Sequence, residues 1–248
     1  MRHLDGMKKG EKAGGQTRKA RAAARRARVD AERSLGQAVE RADGLIEDSL
    51  ALLTKLIAVE QTMERASLIG SAYKRRALVD GAAGRHARIQ RDLEQMKARY
   101  QDAQDVGEKS GVSDLSYPAS NRLAADVALN AGKRRWRSLD RETVRIVRKS
   151  LHAKSASDPD FWSVVGETEL DQYEALAKRK LASARTQLDK AYEDLHKRVT
   201  ATRMWASVYD TACLVLPNYA GRATGKERAA ANELLAHLRR FAHPQEEQ

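Results

Sequence analysis

Apolar side chains recur along this chain every three or four positions, the period of helices that bury one face. Ile46, Leu50, Leu53 and Ile57 form the first firm stripe and predict a helix over residues 40–61. Leu68, Ala72, Tyr73, Ala77 and Leu78 predict a second over 64–80, closed by Gly81 and Gly84. The cleanest pattern is Ile89, Leu93, Met96, Tyr100 and Ala103, ended by Gly107 and Gly111. A loop over 110–120 carrying Pro118, a short helix over 121–130 and a basic helix over 138–152 follow. After a linker over 154–158, Asp158 before Pro159 reads as a helix start, with an acid at the cap and proline in the first turn. A helix over 161–177 precedes the stripe Leu181, Ala184, Leu188, Ala191, Leu195 and Val199. Trp205, Val208, Ala212 and Val215 form the next stripe, ended by Pro217. Thr224 and Glu227 have capping-box spacing before Leu234, Leu238 and Phe241. Each stripe must pack on a neighbour, and short connections favour antiparallel hairpins of consecutive helices.

Some of these helices carry repeat-like spacing. Ile69, Gly70 and Tyr73 match the L-G-x2-Y part of the tetratricopeptide pattern W-x2-L-G-x2-Y, and Trp162, Val165 and Gly166 match W-x2-L-G. Tyr100 and Ala103 have the spacing expected in a second repeat helix. In such a repeat the glycine admits the paired helix closely, while the large residues fill the hairpin interior. The run from Glu64 to Ala77 (ERASLIGSAYKRRA) and the Tyr-Pro-x-x-Asn segment from Tyr117 to Asn121 go further. They resemble divergent tetratricopeptide-like regions of bacterial multidomain proteins, and are similar to the TRAF-binding helical region beside the kinase domain of stress-activated kinases. The resemblance spans about residues 60–240 and implies a scaffold or sensor module that accompanies an effector domain. It departs in helix length: the helices over 85–106 and 180–200 exceed the usual repeat helix, and no 34-residue period survives.

Composition agrees with helix. Only 5% of residues are aromatic, with two Phe and four Pro, too few for a sandwich or barrel. The single cysteine, Cys213, excludes an internal disulfide framework and reads as a buried, inert thiol. No stretch approaches the roughly 20 apolar residues of a membrane span, and a cytoplasmic location is expected.

The net charge of +12 is uneven. Residues 1–28 hold ten Lys or Arg against Asp5 and Glu11, so most of the excess sits in a basic arm. A second cluster at 133–149 includes Lys133, Arg134, Arg135, Trp136, Arg137, Arg141 and Arg145, opposed only by Asp140 and Glu142. Cations in this density are candidate phosphate contacts, although a solvated helix face and a core-anchoring Trp136 are the favoured account.

Conventional chemistry is missing. The six histidines have no metal-ligand spacing, and neither the G-x4-G-K-[ST] nor the G-x-G-x-x-G phosphate loop occurs. Asp158 and Asp160 read as helix caps, and Glu167, Glu169 and Asp171 as solvated charge. The expectation is therefore an all-α chain of antiparallel helical hairpins stacked as a short tetratricopeptide-like solenoid. A flexible, largely disordered basic arm over 1–40 would precede the helical-repeat domain over 41–248. No catalytic residue, metal or cofactor is assigned. The expected role is a non-enzymatic scaffold or sensor with a protein or peptide partner and a separately encoded effector. The alternative is a nucleic-acid-binding accessory protein using residues 133–149 and the arm. No membrane partner is expected.

Overall fold

The computed structural model describes residues 2–245, with side chains from Ala20 onward. The described residues form nine helices and no strand. Two compact units are distinguished, Met1–Leu45 and Ile46–Gln248.

The first unit belongs to one helix, α1 (Arg2–Val59). The helix α1 begins at Arg2. From Thr17 onward Ala, Arg and Glu, strong helix formers, dominate and carry the helix on without an apolar face. Residues 20–38 are all exposed, and Arg28 pairs with Glu32 one turn on at 2.8 Å. This segment adds no core.

The second unit holds the rest. The end of α1 buries Ile46 and Leu50 with Ile69 and Ala72 of α2 (Met63–Ala82). Arg76 of α2 reaches Glu47 at 2.7 Å and Asp92 of α3 (His86–Lys109) at 2.8 Å, tying three helices together. The remaining helices are α4 (Ser116–Asn130), α5 (Arg141–Ser157), α6 (Phe161–Lys178), α7 (Leu181–Arg198), α8 (Thr202–Arg222) and α9 (Gly225–Ala242). From α2 to α7 each helix packs on the next or shares its core, and α8 pairs with α9. The array also curls: α8 packs on α4 and α2, and α7 on α9. At the far end Trp205 is fully buried, edge-on to Phe161 at 5.3 Å and Phe241 at 4.9 Å, with its indole N–H donated to the Val199 carbonyl at 2.7 Å.

Several boundaries differ from the sequence expectation, each for a local reason. Helix α4 begins at Ser116 and takes in Pro118, which was expected in a loop. First-turn amides have no intrahelical acceptor, so proline costs nothing there. Helix α5 begins at Arg141 rather than 138, because the Asp140 side chain accepts from the Thr143 amide at 2.9 Å, and it runs through the expected linker to Ser157. Helix α6 is capped by Asp160 and not by Asp158: Asp160 accepts from the Ser163 amide at 2.8 Å and Ser163 Oγ accepts from the Asp160 amide at 3.1 Å. Helix α8 continues past Pro217 to Arg222, since Leu216, Tyr219 and Ala220 are buried while Pro217 faces outward. The expected Thr224–Glu227 capping box does not form. Thr224 makes no side-chain cap bond, and Glu227 reaches across to the first turn of α7, accepting from the amides of Leu181 at 2.9 Å and Ala182 at 3.2 Å.

Candidate functional site

Five helices of the second unit, α2, α4, α5, α6 and α8, wall a chamber of about 410 Å³. Helices α2, α4, α6 and α8 each contribute several residues at helical spacing, and α5 contributes one. Helix α2 presents Ser71, Lys74, Arg75 and Leu78; α6 presents Trp162, Gly166, Glu169 and Tyr173; α8 presents Ser207, Asp210 and Thr211. Ser116, Tyr117, Ser120 and Asn121 come from the first turns of α4, and Leu151 from α5.

The repeat motif shapes this chamber. A Cβ at Gly70 would lie 2.9 Å from the Tyr100 ring, so only glycine lets α3 come this close to α2. Ser71, one residue on, shares a hydroxyl hydrogen bond of 2.9 Å with Tyr100 and another of 2.9 Å with Tyr117. The two tyrosine rings meet edge to face at 5.9 Å. Burial, with the Tyr117 hydroxyl beside it, pushes the Tyr100 phenol well above its ordinary value. Across the chamber a Cβ at Gly166 would lie 3.0 Å from a Leu151 methyl, which draws α5 against α6 in the same way.

Charge is held inside. Lys74 Nζ donates to Thr211 Oγ1 at 2.6 Å, and among the described residues it has no carboxylate in ion-pair contact. Burial lowers the Lys74 ammonium from its ordinary value against the opposing pull of Glu169 and Asp210. Burial pushes the Glu169 carboxyl up to about 7, against the downward pull of Lys74. It likewise pushes the Tyr173 phenol well up, with Glu169 adding to the effect. The chamber thus holds an ammonium and a carboxyl group that feel each other without touching.

The repeat-motif residues are placed as follows. Ile69, Gly70, Tyr100, Ala103, Val165 and Gly166 are buried, and Tyr73 is half-buried with the Arg76 guanidinium 4.8 Å over its ring. Trp162 differs: it does not fill a hairpin interior but stands 46% exposed at the chamber, edge-on to Phe161 at 5.0 Å.

The basic cluster is divided. Lys133, Arg134, Arg135 and Arg137 lie exposed on the loop before α5, and Trp136 packs half-buried against the core. Arg141 and Arg145 lie on α5, where Arg145 pairs with Glu142, its Nε at 2.9 Å. Arg148 is neutralised by α6, reaching Glu174 at 2.7 Å and Asp171 at 3.4 Å. Cys213 is half-buried, and burial pushes its thiol up. Among the described residues no group of three or more His, Cys, Asp or Glu is placed to hold a metal ion, and no helix is long and apolar enough to cross a membrane.

Sequence reasoning missed Lys74, Glu169 and Asp210. Glu169 was grouped with Glu167 and Asp171 as solvated charge, yet only the latter two face Arg148. Its spacing from Gly166 and Tyr173, three back and four on, was the available signal.

The fold is thus an antiparallel helical-repeat array enclosing a polar chamber. The profile of the Tetratricopeptide Repeats-Sensor family matches residues 2–126, half of the 248-residue chain, and the chain belongs to that family. The match includes the chamber walls from α2 and α4 and ends before those from α5, α6 and α8. Comparison with curated proteins and with solved structures gave no match.

Proposed function

We propose that this chain is a sensor module whose recognition site is the five-helix chamber, and that its occupancy is passed to a separately encoded effector protein. One observation carries the reading. Trp162 and Gly166 of the repeat motif meet Tyr117 and Asn121 of the Tyr-Pro-x-x-Asn segment at one cavity, which also holds the half-buried Lys74 ammonium and Glu169 carboxyl. A structural core would fill such a space with apolar atoms, because buried charge is costly unless something meets it. The cavity falls within the size range of small-molecule sites, about 300–1,000 Å³. The effector part of the reading extends from the likeness to helical regions that accompany effector domains. The test is co-purification with the product of an adjacent gene. Wild-type protein should retain it, and a Tyr117→Ala, Trp162→Ala double variant with unchanged helical circular dichroism should not. Equal retention by both would remove the chamber from the reading.

A second reading rests on Arg134, Arg135, Arg137 and Arg141, which are exposed and have no ion pair among the described residues. Such a surface suits phosphate contact. Binding to a duplex or single-stranded oligonucleotide should then weaken steeply with salt and on changing Arg134, Arg135 and Arg137 to Glu. Binding at low salt that ignores these changes would dismiss it.

A further inference from the structure

The chamber's charges state what they lack. The Glu169 carboxyl receives no hydrogen bond among the described residues, although it is drawn deep enough that burial dominates its titration. Lys74 opposite has one acceptor, Thr211 Oγ1, for its three N–H bonds. Arg75 is exposed and lines the same cavity, as does Asp210 of α8. Two cations and two acids therefore surround one space. A purely anionic guest would be repelled by Glu169 and Asp210, and a purely cationic one by Lys74 and Arg75. A neutral apolar guest would leave all four facing nothing. Only a guest with one charge of each sign satisfies both pairs, with Leu78, Leu151 and Val208 left to receive an apolar body.

We propose that the chamber binds a small amphoteric molecule of dipeptide size, its ammonium seated on the Glu169 and Asp210 carboxylates and its carboxylate on Lys74 and Arg75. This rests on reading the chamber as the recognition site and names the chemistry that it recognises. The rim supports it, since Trp162 and Tyr117 stand exposed as aromatic faces that favour a nearby ammonium.

Protonation supplies a signature. The groups around Glu169 are Lys74 and Arg75 on α2, Tyr117 on α4, Tyr173 on its own helix, Asp210 on α8 and, behind it, Tyr192 on α7; α5 contributes only the apolar Leu151. Burial pushes the Glu169 carboxyl up to about 7, so its charge changes near neutrality. An ammonium needs it ionised, so affinity falls as pH drops through that value.

The experiment is calorimetric titration of the full chain with a panel of dipeptides carrying one apolar side chain. Each is offered free, N-acetylated and C-amidated. Free dipeptides should bind, and blocking either end should weaken binding about tenfold or more. Glu169→Gln should weaken it similarly and remove the loss of affinity between pH 7 and pH 5, a range in which the dipeptide amine (about 8) stays charged. Blocked forms binding as well as free ones would overturn the proposal, and so would silence from the whole panel. If the panel is silent while the Tyr117→Ala, Trp162→Ala variant still loses its effector, the ligand chemistry is wrong and the sensor reading stands. If that variant also keeps its effector, both fall.

Discussion

Gly70 lies against the ring of Tyr100, with room between them for hydrogen and nothing larger: a Cβ would stand 2.9 Å from both Cδ2 and Cε2. The ring cannot simply retreat, because its hydroxyl is tied to Ser71 at 2.9 Å and its body is fully buried. Gly70→Ala should therefore cost about 1–3 kcal/mol, the usual penalty for overpacking a rigid core. Gly166→Ala should cost less, since its neighbour is the movable methyl end of Leu151 at 3.0 Å. Urea unfolding of both variants checks the order, and equal losses would mean that Tyr100 moves freely.

Glu169 makes stability depend on pH in a definite direction. Its folded value of about 7 lies above the ordinary 4.5, so the folded chain holds this proton more tightly than the unfolded chain. Stability from this group is full below the unfolded value and is lost as pH rises through the folded one. Glu169→Gln keeps the neutral form at every pH. It should melt close to wild type at pH 5 and several degrees higher at pH 8. A melting difference that does not grow between these two values would contradict the assignment.

Two caps sit where the local spacing does not point. Glu227 accepts from two α7 amides and from the Tyr219 hydroxyl, whose phenol burial and Glu227 itself push upward. Glu227→Ala should cost about 1–2 kcal/mol, and Thr224→Ala only a few tenths. Likewise Asp160→Ala should cost about 1 kcal/mol, while Asp158→Ala should be close to neutral. Chemical denaturation of the four single variants reads both contrasts.

These contrasts mark what the sequence made legible. The stripe from Ile89 to Ala103 was readable because α3 packs one face on both neighbours, and its members from Leu93 on are buried. Gly70 was readable as a point of close helix approach and Tyr100 as a second-helix residue, but their mutual contact was not. Pro217 misled because burial of Leu216 and Tyr219 outweighs a lost backbone bond. The basic helix over 138–152 starts three residues later than its pattern suggested because Asp140 caps it, and it runs on to Ser157. The chamber was illegible for a different reason. Lys74, Glu169 and Asp210 lie on three helices far apart in the chain, and each alone looks like an ordinary surface charge. Only the return of α8 onto α2 and α4 brings them together.

That return also sets an order in time. The first wall of the cavity is complete once α2 has been made, but Asp210 and Thr211 follow only with α8. No nascent fragment that stops short of Thr211 can possess the whole cavity, so anything that reads it reads a chain already built through α8.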